Sequence, residues 1–182
     1  RQVYEGLVTP GINMEVLPQL AESWTTTADD TWVFNIRRGV TFHDGSSLTA
    51  GDVAFSINRA KTAPSDMVDL IKSVKSARAI DDHTVEVKTD GPNPILLNQL
   101  TQIFVMSEAW SKANGCEASY NWDAGETSYC ASNANGTGPF EITFREQDVR
   151  TVFEKNDNWW GNHYMHNIDS IELLPIKNDA TR

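Results

Sequence analysis

The chain has 182 residues, a hydrophobic fraction of 40% and a formal net charge of −10 at pH 7. This much apolar mass offsets the ordering entropy of a folded core and excludes wholesale disorder. The acidic balance excludes a nucleic-acid partner, because a phosphate-binding surface needs clustered Lys and Arg. No apolar run approaches the ~20 residues that cross a bilayer.

The first predicted element is a β-hairpin. Residues 22–27 and 31–37 are β-prone, and the short segment Ala28-Asp29-Asp30 separates them. In the second run Trp32, Phe34 and Ile36 alternate with polar residues, which is typical of a strand with one buried face. We assign Trp24, Trp32 and Phe34 to the core.

Two helices are predicted next. Thr49 and Asp52 have the spacing of a capping box, so a helix begins there and ends near Lys61. Residues 66–74 carry an apolar stripe at helical spacing, which predicts a second, shorter helix.

The remaining elements continue the mixture of strands and helices. Residues 74–80 and 84–89 predict a second hairpin that turns at Asp81-Asp82-His83. Further along we predict helices over 95–100 and 107–114 and strands over 103–106, 140–145, 149–155 and 168–176. The predicted class is α+β, with mixed, largely antiparallel sheets and flanking helices.

Cys116 and Cys130 flank a polar loop, which predicts a disulfide and an oxidising compartment. Two free thiols are the alternative. A metal site at these cysteines is disfavoured, because no second Cys or His lies beside either one at ligand spacing.

No motif indicates catalysis or a cofactor. The chain has no Gly-x-Ser-x-Gly elbow, and neither cysteine is near a His in sequence. His163 and His166 lack a third metal ligand that can be named. The pairs Asp29-Asp30 and Asp81-Asp82 stand where turns favour Asp, and Gly136-Thr137-Gly138 is too short for a phosphate-binding loop. We therefore expect no enzyme activity, metal or cofactor.

Several motifs resemble one known family when they are taken in chain order. The segments are LPQLAESW (17–24), WVFNIRRGVTFHDG (32–45), LTAGDV (48–53), AIDDHTVEV (79–87), NGTGPF (135–140) and NDNWWG (156–161). Together they resemble the family 5 extracellular solute-binding proteins, the peptide and nickel receptors of bacterial ABC importers. The resemblance covers nearly the whole chain except the loop from Cys116 to Cys130.

This resemblance implies an incomplete N-terminal lobe of a periplasmic-binding-protein-like type II (cluster C) fold. Residues 1–38 and 136–182 would form the main sheet part and residues 39–135 an inserted subdomain. The second lobe would be absent, residues 177–182 would approach the crossover to it, and the chain opening at Arg1 would have lost its export signal.

The resemblance also implies a function. The protein would be a monomeric substrate-binding component that captures peptides, such as dipeptides or oligopeptides, and delivers them to membrane permease subunits. It would work in the periplasm or as an extracellular, membrane-anchored lipoprotein. A structural or protein-interaction domain is the alternative, an enzyme ranks last, and the ligand class stays open between peptides, a metal chelate and a sugar. The candidate ligand-binding residues are Ser65, Asp66, Met67, Phe104, Val105, Met106, Gly136, Thr137 and Gly138.

Overall fold

The computed structural model describes residues 2–121, 123–161 and 167–176. Within them, antiparallel strands form three sheets, and the longest helix packs against the largest of these. The elements are β1 (Val8–Pro10), β2 (Val16–Pro18), β3 (Ala21–Ala28), β4 (Thr31–Ile36), α1 (Ala50–Ala60), β5 (Val74–Asp81), β6 (Thr84–Thr89), α2 (Leu96–Leu100), α3 (Glu108–Ala113), a 3₁₀ turn (Tyr129–Ala131), β7 (Phe140–Glu146), β8 (Arg150–Lys155) and β9 (Ser170–Leu173).

The largest sheet has the strand order β3-β4-β6-β5 and contains both predicted hairpins. Phe34 pairs with Val85 across β4 and β6, and both side chains are fully buried. Trp24 and Trp32 pack against this core but stay partly exposed, so their full assignment to the core is wrong. Trp32 stacks on Phe34 and Trp24 lies tilted beside it, and both large rings are only partly covered by the core.

The strands of this sheet can be compared with the predicted division of the chain into a main part and an inserted subdomain. It takes β3 and β4 from before residue 38 and β5 and β6 from after it. The expected boundary near residue 38 therefore crosses one sheet and does not separate two. The division into a main part and an inserted subdomain stays a prediction.

Helix α1 begins as predicted from the capping box. One carboxylate oxygen of Asp52 accepts hydrogen bonds from the backbone N–H and the hydroxyl of Thr49, at 2.9 and 2.7 Å. The other oxygen accepts from the N–H of Glu108 at 2.8 Å, so the same side chain joins the start of α1 to the start of α3. Val53 and Ile57 face the sheet and are buried.

The helix predicted over residues 66–74 is wrong, because this segment forms consecutive turns. The apolar stripe does face inward, with Ile71 fully buried and Leu70 packed against the core. Val74 already pairs with Thr89 in the sheet, so the segment ends in strand geometry before a regular helix develops. Periodicity identified the inward side chains but not the backbone path.

The strand predicted over residues 103–106 is also wrong as a regular element. Only Phe104 forms a β-bridge, to Gly6. The ladder stops there because the N–H of Met106 donates to the Ser56 hydroxyl of α1 and not to a neighbouring strand.

The third sheet, β7-β8-β9, confirms the last three predicted strands, although β9 is shorter than expected. Phe140 begins β7, as predicted, and its side chain is buried. His163, His166 and residues 177–182 lie outside the described residues.

Candidate ligand cavity

A concave site of about 400 Å³ lies beside α1. The helix supplies one wall with Ser56, Arg59 and Ala60. The other walls come from Tyr4 near the start of the chain, from Met67, from residues 102–104 and 106, and from Tyr120 and Cys130 of the loop closed by the two cysteines. We refer to this site as the cavity.

The wall at Phe104 and Met106 is held by its backbone. Phe104 bridges to Gly6, and the N–H of Val105 donates to the carbonyl of Glu5 at 2.9 Å. The Ser56 hydroxyl accepts from the N–H of Met106 at 2.8 Å and donates to the carbonyl of Asp52 at 2.7 Å. These bonds direct the side chains of Phe104 and Met106 into the cavity while Val105 points into the core, where it is buried.

Arg59 joins the helix wall to the cysteine loop. Its Nε donates to the carbonyl of Cys116 at 3.1 Å and its Nη2 to the carbonyl of Ala118 at 3.2 Å. Burial lowers the pKa of Arg59, and the nearby phenols of Tyr4 and Tyr120 act in the opposite direction. Arg59 thus lies near two aromatic lining residues that come from distant parts of the chain.

The predicted disulfide between Cys116 and Cys130 is confirmed, with an S–S distance of 2.09 Å. Cys116 lies three residues after the end of α3, where its N–H donates to the carbonyl of Ser111, and it is fully buried. The Ser128 hydroxyl accepts from the N–H of Cys130 and fixes the other end. We call residues 116–130 the Cys loop.

A polar cluster around Glu5 lies next to the cavity and is closed to solvent. Glu5 is buried and its two carboxylate oxygens accept four hydrogen bonds. Burial raises the pKa of Glu5, and the four hydrogen bonds partly oppose that effect. The donors are Thr137 Oγ1 at 2.9 Å, Trp160 Nε1 at 2.8 Å, and Trp159 Nε1 and Gln19 Nε2 at 3.3 Å each. We call Glu5 and these four donors the Glu5 anchor.

The turn at Gly136-Thr137-Gly138 is pressed against the start of the chain. A Cβ atom on Gly136 would lie 2.0 Å from the carbonyl oxygen of Val3, and one on Gly138 would lie 2.4 Å from that of Gln2. Only glycine therefore fits at these two positions.

His43 holds the same turn from the opposite side. The N–H of Gly136 donates to its Nδ1 at 3.3 Å, which leaves the proton on Nε2 to donate to the carbonyl of Gly138 at 3.1 Å. Burial lowers the pKa of His43. Asn135 and Asp44 add a reciprocal pair of hydrogen bonds at 2.8 and 3.1 Å.

The structure divides the nine candidate residues into two groups. Met67, Phe104 and Met106 come together in the cavity. The other six are not among the residues that line it: Ser65, Asp66, Val105, Gly136, Thr137 and Gly138. Ligand contact by any of the nine stays a prediction.

Sequence reasoning missed Tyr4, Arg59 and Tyr120. Arg59 lies three residues after Ser56 on the same face of the predicted helix, but Ser56 was not a candidate either, so no signal in the sequence indicated Arg59. Tyr4 and Tyr120 carry no signal either, since they reach the cavity only through contacts between distant segments.

Two further findings concern the part of the chain that the structure describes. Its helices are all too short or too polar to cross a membrane. In the same ranges, no three His, Cys, Asp or Glu side chains are grouped closely enough to hold a metal ion.

Comparisons with known proteins identify the class of fold. NikA from Brucella suis in complex with Fe(III)-EDTA superimposes with a TM-score of 0.81 at 25% identity, over 100% of this chain and 35% of NikA. OppA from Burkholderia pseudomallei superimposes with a TM-score of 0.78 at 26% identity, over 99% of this chain and 37% of OppA. The fold is part of a type II periplasmic binding protein, as predicted.

The family follows from the sequence match. The family model of bacterial extracellular solute-binding proteins, family 5 Middle, matches residues 15–182, and the chain belongs to this family. Its relatives include the dipeptide-binding protein of Escherichia coli K12, 28% identical over 169 residues. That match covers 81% of this chain and 30% of the relative, so the chain spans about a third of the relative's length.

Proposed function

We propose that the full-length protein is the substrate-binding component of an ABC importer and that it captures dipeptides or oligopeptides in the cavity. One observation carries this proposal. In a chain of the solute-binding family, three side chains from two separately predicted ligand-binding segments line one open cavity: Met67, Phe104 and Met106. The dipeptide-binding relative supports a peptide as the ligand.

The chemistry of the lining suits part of a peptide. Two methionines, a phenylalanine and an isoleucine supply apolar surface that adapts to side chains of different shape. Ser56, Gln102 and the two tyrosines place polar groups among them. A volume of about 400 Å³ is within the usual range of small-ligand pockets and holds one or two peptide side chains.

The cellular setting follows from the same reasoning. The protein would act as a monomer in the periplasm, or outside the cell as an anchored lipoprotein, and would hand its ligand to permease subunits in the membrane. The disulfide supports an oxidising compartment. The described residues would belong to the N-terminal lobe of a two-lobed trap, with the second lobe completing the enclosure.

Titration calorimetry of the full-length protein with a mixed peptide pool tests the proposal. We expect heat of binding, and mass spectrometry of the recovered peptides should show them unchanged. A Met106→Ala variant should weaken binding, while Ile12→Ala, at a side chain that is 95% exposed on the β1–β2 turn, serves as the matched control. Absence of any binding would overturn the proposal in favour of a structural or protein-interaction role.

The isolated 182-residue chain provides a second test. We expect it to bind peptides weakly or not at all, because half of the enclosing surface would be missing. Micromolar or tighter affinity of the chain alone would contradict the two-lobed enclosure.

A further inference from the structure

The Cys loop forms a side of the cavity that the family motifs do not include. It contributes Tyr120 and Cys130 to the lining, which also includes Tyr4, Arg59 and Met67. The motifs that carry the family resemblance lie outside residues 116–130. The lining therefore combines walls that carry these motifs with one wall, the Cys loop, that carries none of them.

Hydrogen bonds hold the backbone on both sides of Tyr120. Before it, Arg59 donates to the carbonyls of Cys116 and Ala118. After it, the N–H of Asn121 donates to a Glu126 carboxylate oxygen at 2.7 Å, and the N–H of Glu126 donates back to the carbonyl of Asn121 at 3.1 Å. The disulfide closes the loop at its ends. These hydrogen bonds and the disulfide restrain the backbone on both sides of Tyr120.

The contacts of Arg59 indicate that it positions the backbone of the Cys loop. Among residues 2–121, 123–161 and 167–176, no carboxylate forms an ion pair with Arg59, and backbone carbonyls accept its hydrogen bonds. Its two donated bonds use the fork geometry of a guanidinium, which a lysine cannot reproduce. Arg59 thus fixes the two backbone positions that precede Tyr120.

We propose that the Cys loop sets the ligand specificity of the cavity: Tyr120, positioned by Arg59 and by the disulfide, limits the size of the ligand side chain that the cavity accepts. This inference rests on the proposed function, because it takes the cavity to be the peptide-binding site. Removing the phenol ring of Tyr120 opens the cavity on the side of the Cys loop, so bulky side chains gain room while small ones lose a contact.

The test measures selectivity and not affinity alone. Full-length wild-type protein and variants are titrated with two dipeptide series in which either the first or the second residue is Ala, Val, Leu or Phe. We expect Tyr120→Ala to lower the ratio of the Phe-peptide Kd to the Ala-peptide Kd roughly tenfold. This change should occur in the series whose variable side chain enters the cavity. The matched control is Tyr129→Ala, in the same loop, whose ring packs beside Trp110 and does not line the cavity. The control should leave the ratio unchanged.

A second variant tests the positioning residue. Arg59→Lys keeps the positive charge but removes the fork, so we expect the same direction of shift in the Kd ratio with a smaller size. A purely structural role of Arg59 would lower the stability and leave this ratio as it is. Circular dichroism at the titration temperature establishes that each variant is folded.

The outcomes separate the two proposals. If wild-type protein binds peptides and Tyr120→Ala leaves the ratio unchanged in both series, the specificity role is overturned while the proposed function stands. If Tyr120→Ala weakens all peptides by the same factor, Tyr120 is an ordinary contact and the size limit is overturned. If wild-type protein binds no peptide, both proposals fail.

Discussion

The cavity and the Glu5 anchor are neighbours built from the same segments, yet they differ in what they offer a ligand. In the anchor, the Glu5 carboxylate already accepts four hydrogen bonds from protein donors and is closed to solvent. In the cavity, the side chains of Phe104 and Met106 face open space. Residues 4–6 run between the two, with Tyr4 on the cavity and Glu5 in the anchor.

This difference shows how the two sites use their polar groups. Burying a carboxylate costs free energy unless protein donors form hydrogen bonds to it. In the anchor, these hydrogen bonds join Glu5 to Gln19, Thr137 and the two indoles. The apolar side chains of the cavity instead border open space. Substitutions in the anchor should therefore lower stability most, and substitutions in the cavity should alter binding.

The largest expected effect is at Gly136, which directly precedes the anchor residue Thr137. A methyl group there would overlap the carbonyl oxygen of Val3, only 2.0 Å from the new Cβ, and neither backbone can move freely. We expect Gly136→Ala to lower the free energy of unfolding by about 3 kcal/mol in urea titrations. Gly51→Ala in α1, where the nearest atom is a side-chain oxygen at 3.3 Å, is the control and should change it by less than about 1 kcal/mol. Equal stability of the two variants would show that the turn is not tightly packed.

A smaller effect should distinguish the anchor from the cavity directly. Each Glu5 oxygen accepts one indole N–H, Trp159 on one and Trp160 on the other. The amide of Glu5→Gln has a single acceptor oxygen, so one indole N–H must face an NH₂ group in a buried site. We expect a loss of about 2 kcal/mol in the free energy of unfolding.

Met106→Ala is the matched comparison on the cavity side. Its side chain is half-buried and borders open space, so we expect a loss of about 1 kcal/mol, measured by the same urea titration. A larger loss for Met106→Ala than for Glu5→Gln would reverse the assigned roles of the two sites.

Local patterns predicted much of the fold and part of the site. The Thr49–Asp52 capping box, the two hairpins and the disulfide are encoded by residues close in sequence or by simple pairing, and all were predicted. The stripe at residues 66–74 misled because the same inward side chains suit a helix or a series of turns, and pairing of Val74 in the sheet decides between them.

The rest of the site depends on long-range contacts that no local pattern reports. Thr137 was predicted as a ligand contact, but its hydroxyl donates to Glu5, a residue 132 positions away in the chain. Tyr4 and Tyr120 come together beside Arg59 only after the Cys loop has folded against α1. Motifs indicated which segments lie at the two sites, whereas tertiary contacts determine which of their side chains already form hydrogen bonds within the protein.

The smallest expected effect concerns pH and His43, which holds the Gly136–Gly138 turn. Burial lowers the pKa of His43 below its ordinary value of 6.5, so the unfolded chain takes up a proton at a higher pH than the folded protein does. Its contribution to stability is therefore fully present above pH 6.5 and is lost as the pH falls through the lowered pKa of the folded state. Urea titrations of wild-type protein and His43→Asn between about pH 8 and about pH 5 check this sign. The variant should show a shallower loss of stability toward acid, and parallel profiles would mean that neutral His43 does not hold the turn.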